Sequence, residues 1–280
     1  MSAREAGSAT TTTAHATGAG AARIRAAFAA AREAGRAALV PYVVAGRPGR
    51  ETCATLVCEL AASGADVVEL GVPFSDPLAD GEVIRNATRR ALDDGMTVRG
   101  VLEVVRAVRA AGCDVPIVLM GYVNPLIAYG VEQFCADATA AGVDGLIVPD
   151  AQAMGELHEQ AALAGLGLTM LVTPLSSEER IRELAAGSTG FLYAVASTGT
   201  TGARADVADA TIELLGRARS IAGEVPVAVG FGVSTPEHVA RLAPHADGVI
   251  VGSALVELVE RDAAAAAARV AALVAATSRD

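Results

Sequence analysis

The clearest absence from this 280-residue sequence is lysine, because all 22 of its basic residues are arginine. Lysine supplies the amine that forms a Schiff base in lysine-dependent aldolases and in pyridoxal phosphate enzymes. The composition therefore excludes both of these enzyme classes. Any catalysis by this chain must depend on other side chains.

The sequence also lacks a long apolar run and a cluster of basic residues. No uninterrupted apolar segment reaches the roughly 18 residues of a membrane-spanning helix. The formal charge of −10 and the sequence pI of about 4.9 oppose binding to the polyanionic backbone of nucleic acid. The chain carries no secretory signal. We therefore expect a cytoplasmic protein that binds neither membrane nor nucleic acid.

Spacings typical of metal sites are missing as well. The cysteines fit no zinc pattern, and the histidines fall in the N-terminal tail or in helical segments and their flanks, without the spacing of a metal triad. We expect the cysteines to be reduced, buried, small residues. The cysteines are Cys53, Cys58, Cys113 and Cys135, and the histidines are His15, His158, His238 and His245. No metal site and no cofactor is predicted.

The first 22 residues differ in composition from the rest of the chain. They contain the run SATTTTAHATGAG and have too few large apolar side chains to contribute to a core. We predict a disordered tail over residues 1–22 and one domain over residues 23–280. A length of this order is enough for one large barrel.

Eight short apolar runs alternate with segments of helical period. Continuous apolar strands between amphipathic helices predict a parallel sheet covered by helices, and eight such units predict a closed (β/α)8 TIM barrel. An additional helix is expected over 98–112, and a last one over 263–276. The runs cover residues 38–44, 66–70, 115–120, 145–148, 168–172, 190–195, 225–229 and 248–251. The alternative fold is a doubly wound open sheet, although no GxGxxG motif follows the first strand.

Acidic residues cluster where the second strand ends. Glu69 is the last acid of the run DVVEL, and Asp76 and Asp80 follow in the next loop. Active sites of such barrels lie at the C-terminal ends of the strands. An apolar wall there would raise the pKa of Glu69 toward neutrality, which suits a proton-transferring acid. The alternative is that Glu69 pairs with an arginine or caps the neighbouring loop.

Glycine-rich turns follow strands six, seven and eight. They are STGTTGA at 197–203, GFG at 230–232 and VGSA at 251–254. Glycine permits close approach of the backbone, and the N-terminus of a helix presents free N–H groups to a phosphate. Loops after strands seven and eight are the usual phosphate site of this fold. The alternative is that these glycines only form tight turns.

Several long blocks resemble the α subunit of tryptophan synthase, a family that includes stand-alone indole-3-glycerol-phosphate lyases. The resemblance runs in order over residues 37–260. The blocks that carry it are ELGVPFSDPLADG, MGYVNPL, AGVDGLIVPD, TGTTGAR, GFGVSTPEHV and ADGVIVGSALV.

This resemblance implies the retro-aldol cleavage of indole-3-glycerol phosphate to indole and glyceraldehyde 3-phosphate. It implies that Glu69 transfers the proton and that Asp80 stabilises positive charge at the indole nitrogen. Tyr193 would support Glu69, and Thr201 would lie in a loop that closes over the site and orients Asp80. The indole would lie among Tyr42, Met120 and Tyr122, and the phosphate among Gly202, Gly230, Phe231, Gly232, Gly252 and Ser253.

The residue inventory agrees with this reaction. Cleavage of a carbon–carbon bond without an iminium or a metal needs an electron sink, and an indole ring protonated at C3 provides one. Two carboxylates then suffice, provided that one holds a proton while the other is ionised. No cofactor is needed.

Some positions depart from the family's usual pattern. These departures bear on the interface with a partner subunit more than on the catalytic residues. They are Arg47, Glu82, Arg85, Ala151, Gln152 and Ala196. Several of them lie in or beside loops that in this family face a β subunit. The expected partner is such a subunit in an α2β2 complex. The alternatives are a stand-alone lyase that releases indole, a non-catalytic regulatory subunit, or a phosphate-binding isomerase or aldolase on the same barrel.

Overall fold

The computed structural model describes residues 18–151, 153–196, 204–230 and 232–279, and the side chains of 204–208 are not described. Eight parallel strands form a closed barrel in which each strand pairs with the next and β8 pairs with β1. The strands are β1 Ala38–Val44, β2 Val68–Gly71, β3 Ile117–Met120, β4 Gly145–Ile147, β5 Gly167–Val172, β6 Leu192–Val195, β7 Val227–Gly230 and β8 Gly248–Val251. Each predicted apolar run overlaps one of these strands, which confirms the TIM barrel.

Helices cover the outer face of the barrel. They are α1 Ala19–Glu33, α2 Arg50–Ala62, α3 Glu82–Asp93, α4 Val98–Ala110, α5 Val123–Tyr129, α6 Val131–Ala141, α7 Gly155–Leu163, α8 Glu178–Gly187, α9 Arg204–Ala222, α10 Pro236–Leu242, α11 Ser253–Asp262 and α12 Ala266–Ala275. The additional helix predicted between β2 and β3 is α4. The last predicted helix consists of the 3-10 turn Ala263–Ala265 and α12. No described helix is long and apolar enough to cross a membrane.

Helix α1 closes the N-terminal end of the barrel. Ile24 and Phe28 belong to the same buried cluster as side chains of the strands, such as Val40 of β1. The boundary predicted after residue 22 falls inside this helix, which begins at Ala19 and has Ala21 fully buried. The first turn of this helix could not be predicted from hydrophobic pattern, because alanine and glycine pack through close backbone approach rather than through large side chains. Residues 1–17 of the tail predicted over 1–22 lie outside the described residues.

The barrel interior has little polar content. Successive strand residues point alternately into the barrel and toward the helices, and both directions are apolar, so the strands read as continuous apolar runs. Among the described residues, Glu69 on β2 is the buried residue with an ionisable carboxyl that lies within a strand. A carboxyl that is 1% exposed is poorly solvated, which makes its ionised form costly.

Four polar side chains fasten the odd-numbered strands to the even-numbered ones at the N-terminal end. Each lies just before β2, β4, β6 or β8 and accepts a hydrogen bond from a backbone N–H of the preceding odd strand. The pairs are Asp66 with Leu39 at 2.8 Å, Asp144 with Ile117 at 2.8 Å, Thr189 with Leu168 at 2.8 Å and Asp247 with Val227 at 3.0 Å. We call these four bonds the strand fasteners.

Replacing Asp144 by alanine is expected to destabilise the fold by about 2 kcal/mol, because it leaves a buried N–H and a half-buried guanidinium without their acceptor. Asp144 accepts from Ile117, from Arg109 at 2.8 Å and from Arg23 at 2.7 Å. Urea unfolding monitored by circular dichroism measures the loss. Glu183→Ala, which breaks an exposed ion pair with Arg180, is the control and should cost less than about 0.5 kcal/mol. Equal effects of the two substitutions would contradict the prediction.

Candidate active site

A cavity of about 410 Å³ opens at the C-terminal end of the barrel. It brings together the ends of β1, β2, β3, β6 and β8 with the loops that follow β2, β7 and β8. The residues that line it are Tyr42, Glu69, Ala79, Asp80, Gly81, Ile84, Met120, Tyr193, Gly232, Val233, Ser234, Ile250, Gly252, Ser253 and Ala254. Eight of the residues predicted for the site are among them.

A second cavity of about 580 Å³ lies at the opposite end of the barrel, between α1 and the end of α9. Arg25, Arg32 and Arg219 line it together with Glu224 and Asp247. It contains none of the residues predicted for the site. Because the chemistry of this fold occurs at the C-terminal ends of the strands, the smaller cavity is the candidate active site.

Glu69 is buried in the wall of this cavity. Its backbone pairs with Tyr42 of β1 and Val118 of β3, which turns the side chain into the barrel. The residue is 1% exposed, and its Oε2 atom has no hydrogen-bond partner among the described residues. Burial, and secondly the charge of Asp80, raise the pKa of Glu69 to about 8. Within the described residues Glu69 forms no salt bridge, so the alternative of a pairing with arginine is not supported.

Asp80 lies in the loop between β2 and α3, on the same cavity. Burial raises its pKa to about 6, although a hydrogen bond from Tyr122 and the charge of Arg85 lower it. The Tyr122 hydroxyl is itself held by the backbone N–H of Ala79 at 3.0 Å. At neutral pH, Glu69 therefore holds a proton while most of Asp80 is ionised. Asp76, the third acid noted in the sequence, is exposed and does not line the cavity.

Tyr42 and Tyr193 line the cavity beside Glu69. Their hydroxyls lie over two glycines at strand ends: a Cβ atom on Gly71 would be 2.2 Å from the hydroxyl of Tyr42, and one on Gly230 would be 2.1 Å from that of Tyr193. Burial and the charge of Glu69 raise the pKa of both tyrosines, so both hydroxyls stay protonated. Gly230 does not line the cavity. Because Gly230 has no side chain, it leaves room for the ring of Tyr193.

The other end of the cavity consists of backbone groups from two glycine turns. Gly252 is the N-cap of α11, so the backbone N–H groups of Ser253 and Ala254, two residues that line the cavity, have no acceptor within the helix. Gly232 has a φ of +76°, a conformation that favours glycine. A helix N-terminus beside glycines is a suitable site for a phosphate. These glycines can therefore form tight turns and also line an anion site.

Three of the predicted site residues cannot be placed. Thr201, Gly202 and Phe231 lie outside the described residues. Tyr122 is described, but it contacts Asp80 rather than lining the cavity. Their predicted roles stay predictions.

The sequence analysis missed several residues that line the cavity. Ile84 follows Asp80 by one helical turn, a spacing that could have indicated it. Ser234 follows the GFG turn by two residues and could have been read as part of the anion site. The others are Ala79, Gly81, Val233, Ile250 and Ala254.

Arg47, which departs from the family's usual aspartate, has a structural explanation. Its guanidinium bonds to Glu260 at 2.6 Å and to Asp94 at 2.6 Å, and Arg90 bonds to the same Glu260 at 2.6 Å. These ion pairs join the loop after β1 to α3 and α11, the two helices that begin at the cavity. Glu82 and Arg85 are exposed in the first turn of α3, and Ala151 is buried. Gln152 lies outside the described residues.

Among the described residues, no group of three or more histidine, cysteine, aspartate or glutamate side chains could hold a metal ion. Burial raises the pKa of the thiols of Cys53 and Cys135 to about 11. The carboxyls and hydroxyls of the cavity are therefore its reactive groups.

Comparison with known proteins identifies one family. A family model described as tryptophan synthase alpha chain matches residues 28–279. The tryptophan synthase alpha chain of Phenylobacterium zucineum is 48% identical over 238 residues, covering 84% of this chain and 86% of its own. That of Geobacter sulfurreducens is 49% identical over 245 residues, covering 87% and 92%. The open form of tryptophan synthase from M. tuberculosis is 36% identical with a TM-score of 0.84, covering 92% of this chain and 99% of its own. The chain belongs to the tryptophan synthase alpha chain family.

Proposed function

We propose that this protein cleaves indole-3-glycerol phosphate to indole and glyceraldehyde 3-phosphate, as a tryptophan synthase α subunit. The observation that carries the proposal is the pairing, in one cavity, of a buried acid that holds its proton with a second acid that is ionised. Glycine turns at the far end of that cavity suit the phosphate. The reaction needs these three elements and no lysine.

The carbon–carbon bond breaks in steps whose protons balance. Glu69 delivers a proton to C3 of the indole, which leaves the ring cationic and able to accept an electron pair. The bond between C3 and the glycerol carbon then breaks, and its electron pair returns to the ring. The hydroxyl on that glycerol carbon loses its proton to Glu69 as the aldehyde forms. Glu69 ends in its starting state.

Asp80 acts on the charge that develops between these steps. A cationic ring places positive charge at the indole N–H, and an ionised carboxylate fixed beside it stabilises that charge more than it stabilises the neutral substrate. Tyr122 fixes this carboxylate, because it donates to Asp80 while accepting from Ala79. The apolar walls of the cavity strengthen the interaction by excluding water.

The rate of cleavage is expected to depend on pH as a bell. Ionisation of Asp80 raises kcat/KM as the pH passes about 6, and loss of the Glu69 proton lowers kcat/KM as the pH passes about 8. Initial rates of indole formation at substrate concentrations well below saturation, between pH 5 and pH 9.5, measure both limbs. The alkaline limb is the diagnostic one, because the second pKa of a phosphate ester also lies near 6. A kcat/KM that keeps rising above pH 8 would contradict the assignment of Glu69.

Exposed apolar side chains near the cavity are consistent with a β subunit as partner. Leu78 is 86% exposed in the loop after β2, and Leu175 is 96% exposed in the loop after β5. Ile127 of α5 is 53% exposed on the same side of the barrel. The fourth large apolar side chain that is exposed among the described residues, Leu163 at the end of α7, does not belong to this group. Three large apolar side chains exposed near one end of the barrel favour a protein interface there. A cytoplasmic location stays a prediction.

Indole formation by the isolated chain, with and without a tryptophan synthase β subunit, tests the function and the partner together. Strong activation by the β subunit supports the α subunit reading. High activity alone, unchanged by the β subunit, would instead indicate a stand-alone lyase. Absence of indole under both conditions would overturn the proposed function and favour the regulatory alternative. The retention of both Glu69 and Asp80 speaks against that alternative, because a binding module does not need them.

A further inference from the structure

The phosphate end of the cavity contains a polar side chain that the proposed mechanism does not use. Ser234 lines the cavity one residue beyond Val233, and it is half-buried. None of the described residues that line the cavity is a histidine or an arginine. Neutral hydrogen-bond donors must therefore provide most of the contacts to a phosphate in this part of the cavity.

The exposed side chain of His238 reaches back from α10 to Ser234. Its Nδ1 atom lies 3.3 Å from Ser234 Oγ and 3.4 Å from the Ser234 backbone nitrogen. Thr235, the N-cap of α10, accepts a hydrogen bond from the His238 N–H at 3.3 Å and so fixes the residue that carries the ring. The imidazole is thus held against a serine that faces the candidate phosphate site.

The backbone N–H of Ser234 is directed at Nδ1, so Nδ1 is the acceptor of this hydrogen bond and carries no proton. The same bare nitrogen can also accept from the Ser234 hydroxyl. A phosphate oxygen is only an acceptor, so it competes with Nδ1 for the hydroxyl proton, whereas the backbone N–H stays bonded to Nδ1.

We propose that His238 positions Ser234 as a further phosphate ligand: its Nδ1 accepts from the Ser234 backbone N–H and holds the serine in place, and the Ser234 hydroxyl donates its proton to the substrate phosphate. This inference rests on the proposed function, because it concerns the phosphate of that substrate. His238 is a positioning residue, since it acts through Ser234. Its other neighbours are charged but solvated: Glu237 is adjacent, and Arg241, one turn along α10, pairs with Asp209 at 3.3 Å.

Calorimetric titration with sn-glycerol 3-phosphate tests the proposal without requiring catalysis. Ser234→Ala removes the ligand and is expected to weaken binding about 10-fold, the value of one hydrogen bond to a charged group. His238→Leu removes the positioning contact and is expected to weaken binding about 3- to 10-fold. His238→Asn can place its Oδ1 atom where Nδ1 was, as an acceptor for the same backbone N–H, and should bind within about twofold of the unaltered chain, a rescue that a requirement for the imidazole ring itself would not allow. His245→Asn, at the other end of the barrel, is the control.

Steady-state kinetics of indole formation provide the second measurement. The phosphate is remote from the bond that breaks, so Ser234→Ala and His238→Leu should raise KM by the same factors and change kcat by less than about twofold. Unaltered affinity in His238→Leu, or equal losses in His238→Leu and His238→Asn, would overturn the proposal. Failure of the unaltered chain to bind the probe would also overturn it. The expected ranking of affinities without any indole formation would support the phosphate contact while overturning the proposed function.

Discussion

Glu69→Gln is expected to abolish indole formation and to make the protein more stable. Glutamine has the same shape, but its amide cannot exchange a proton with the substrate. General acid–base catalysis contributes roughly 10²- to 10⁴-fold, so a loss of about 10³-fold or more in kcat is expected. Binding of sn-glycerol 3-phosphate should not change, because the phosphate end of the cavity does not include Glu69.

The gain in stability follows from the direction of the pKa shift. The pKa of Glu69 rises from its ordinary value of 4.5 to about 8 in the folded protein, so the unfolded chain releases this proton more readily. The free energy of unfolding that Glu69 contributes is largest below pH 4.5 and is lost as the pH rises toward 8. At pH 7 the raised pKa of Glu69 therefore lowers the free energy of unfolding by about 3 kcal/mol relative to its value below pH 4.5. A glutamine at this position has no such pH-dependent loss.

Urea unfolding at pH 7 and at pH 4.5 measures this difference. Glu69→Gln should exceed the unaltered protein in stability at pH 7 and approach it at pH 4.5. Glu183→Gln, the same chemical change at an exposed position, is the control and should alter neither activity nor the dependence on pH. Substantial turnover by Glu69→Gln would overturn the role assigned to Glu69, and a stability gain that is the same at both pH values would contradict the raised pKa.

Asp80→Asn is expected to lower kcat about 10²- to 10³-fold with little change in KM. Asparagine keeps the size of the side chain and an acceptor for Tyr122, but it removes the negative charge that the cationic indole requires. Loss of one preorganised electrostatic contact in a closed site has an effect of this order. Because the charge acts mainly on the transition state, kcat and kcat/KM should fall together.

The same loop provides a matched control for Asp80. Asp76→Asn makes the same change four residues earlier, at an exposed position, and should leave kcat unchanged. Tyr122→Phe keeps Asp80 but removes the hydroxyl that holds it, and should cause an intermediate loss of about 10-fold. Equal losses in Asp76→Asn and Asp80→Asn would show that the total charge of the loop matters, and not the position of Asp80.

The barrel could be predicted from the sequence because its strands are buried on both faces. β1 agrees with the prediction at both ends, and Glu69 stood out because it interrupts an apolar run. Periodicity could not reveal what depends on chain geometry. The contact of His238 with Ser234 requires the turn that begins α10. Gly71 and Gly230 have no side chains, and tyrosines of neighbouring strands occupy the space that this leaves. The start of α1 went unseen because alanine and glycine pack without a hydrophobic pattern.

The strand fasteners join the eight strands in four pairs, and each pair is joined at the N-terminal end of the barrel, opposite the candidate active site. The side chains of the strand fasteners all precede their strands, whereas the residues of the cavity lie within the strands or in the loops and first helical turns that follow them. Changes in the loops of the mouth therefore leave the registration of the strands untouched. A carboxyl as unfavourable as that of Glu69 can persist in such a molecule because a separate set of side chains maintains the architecture around it.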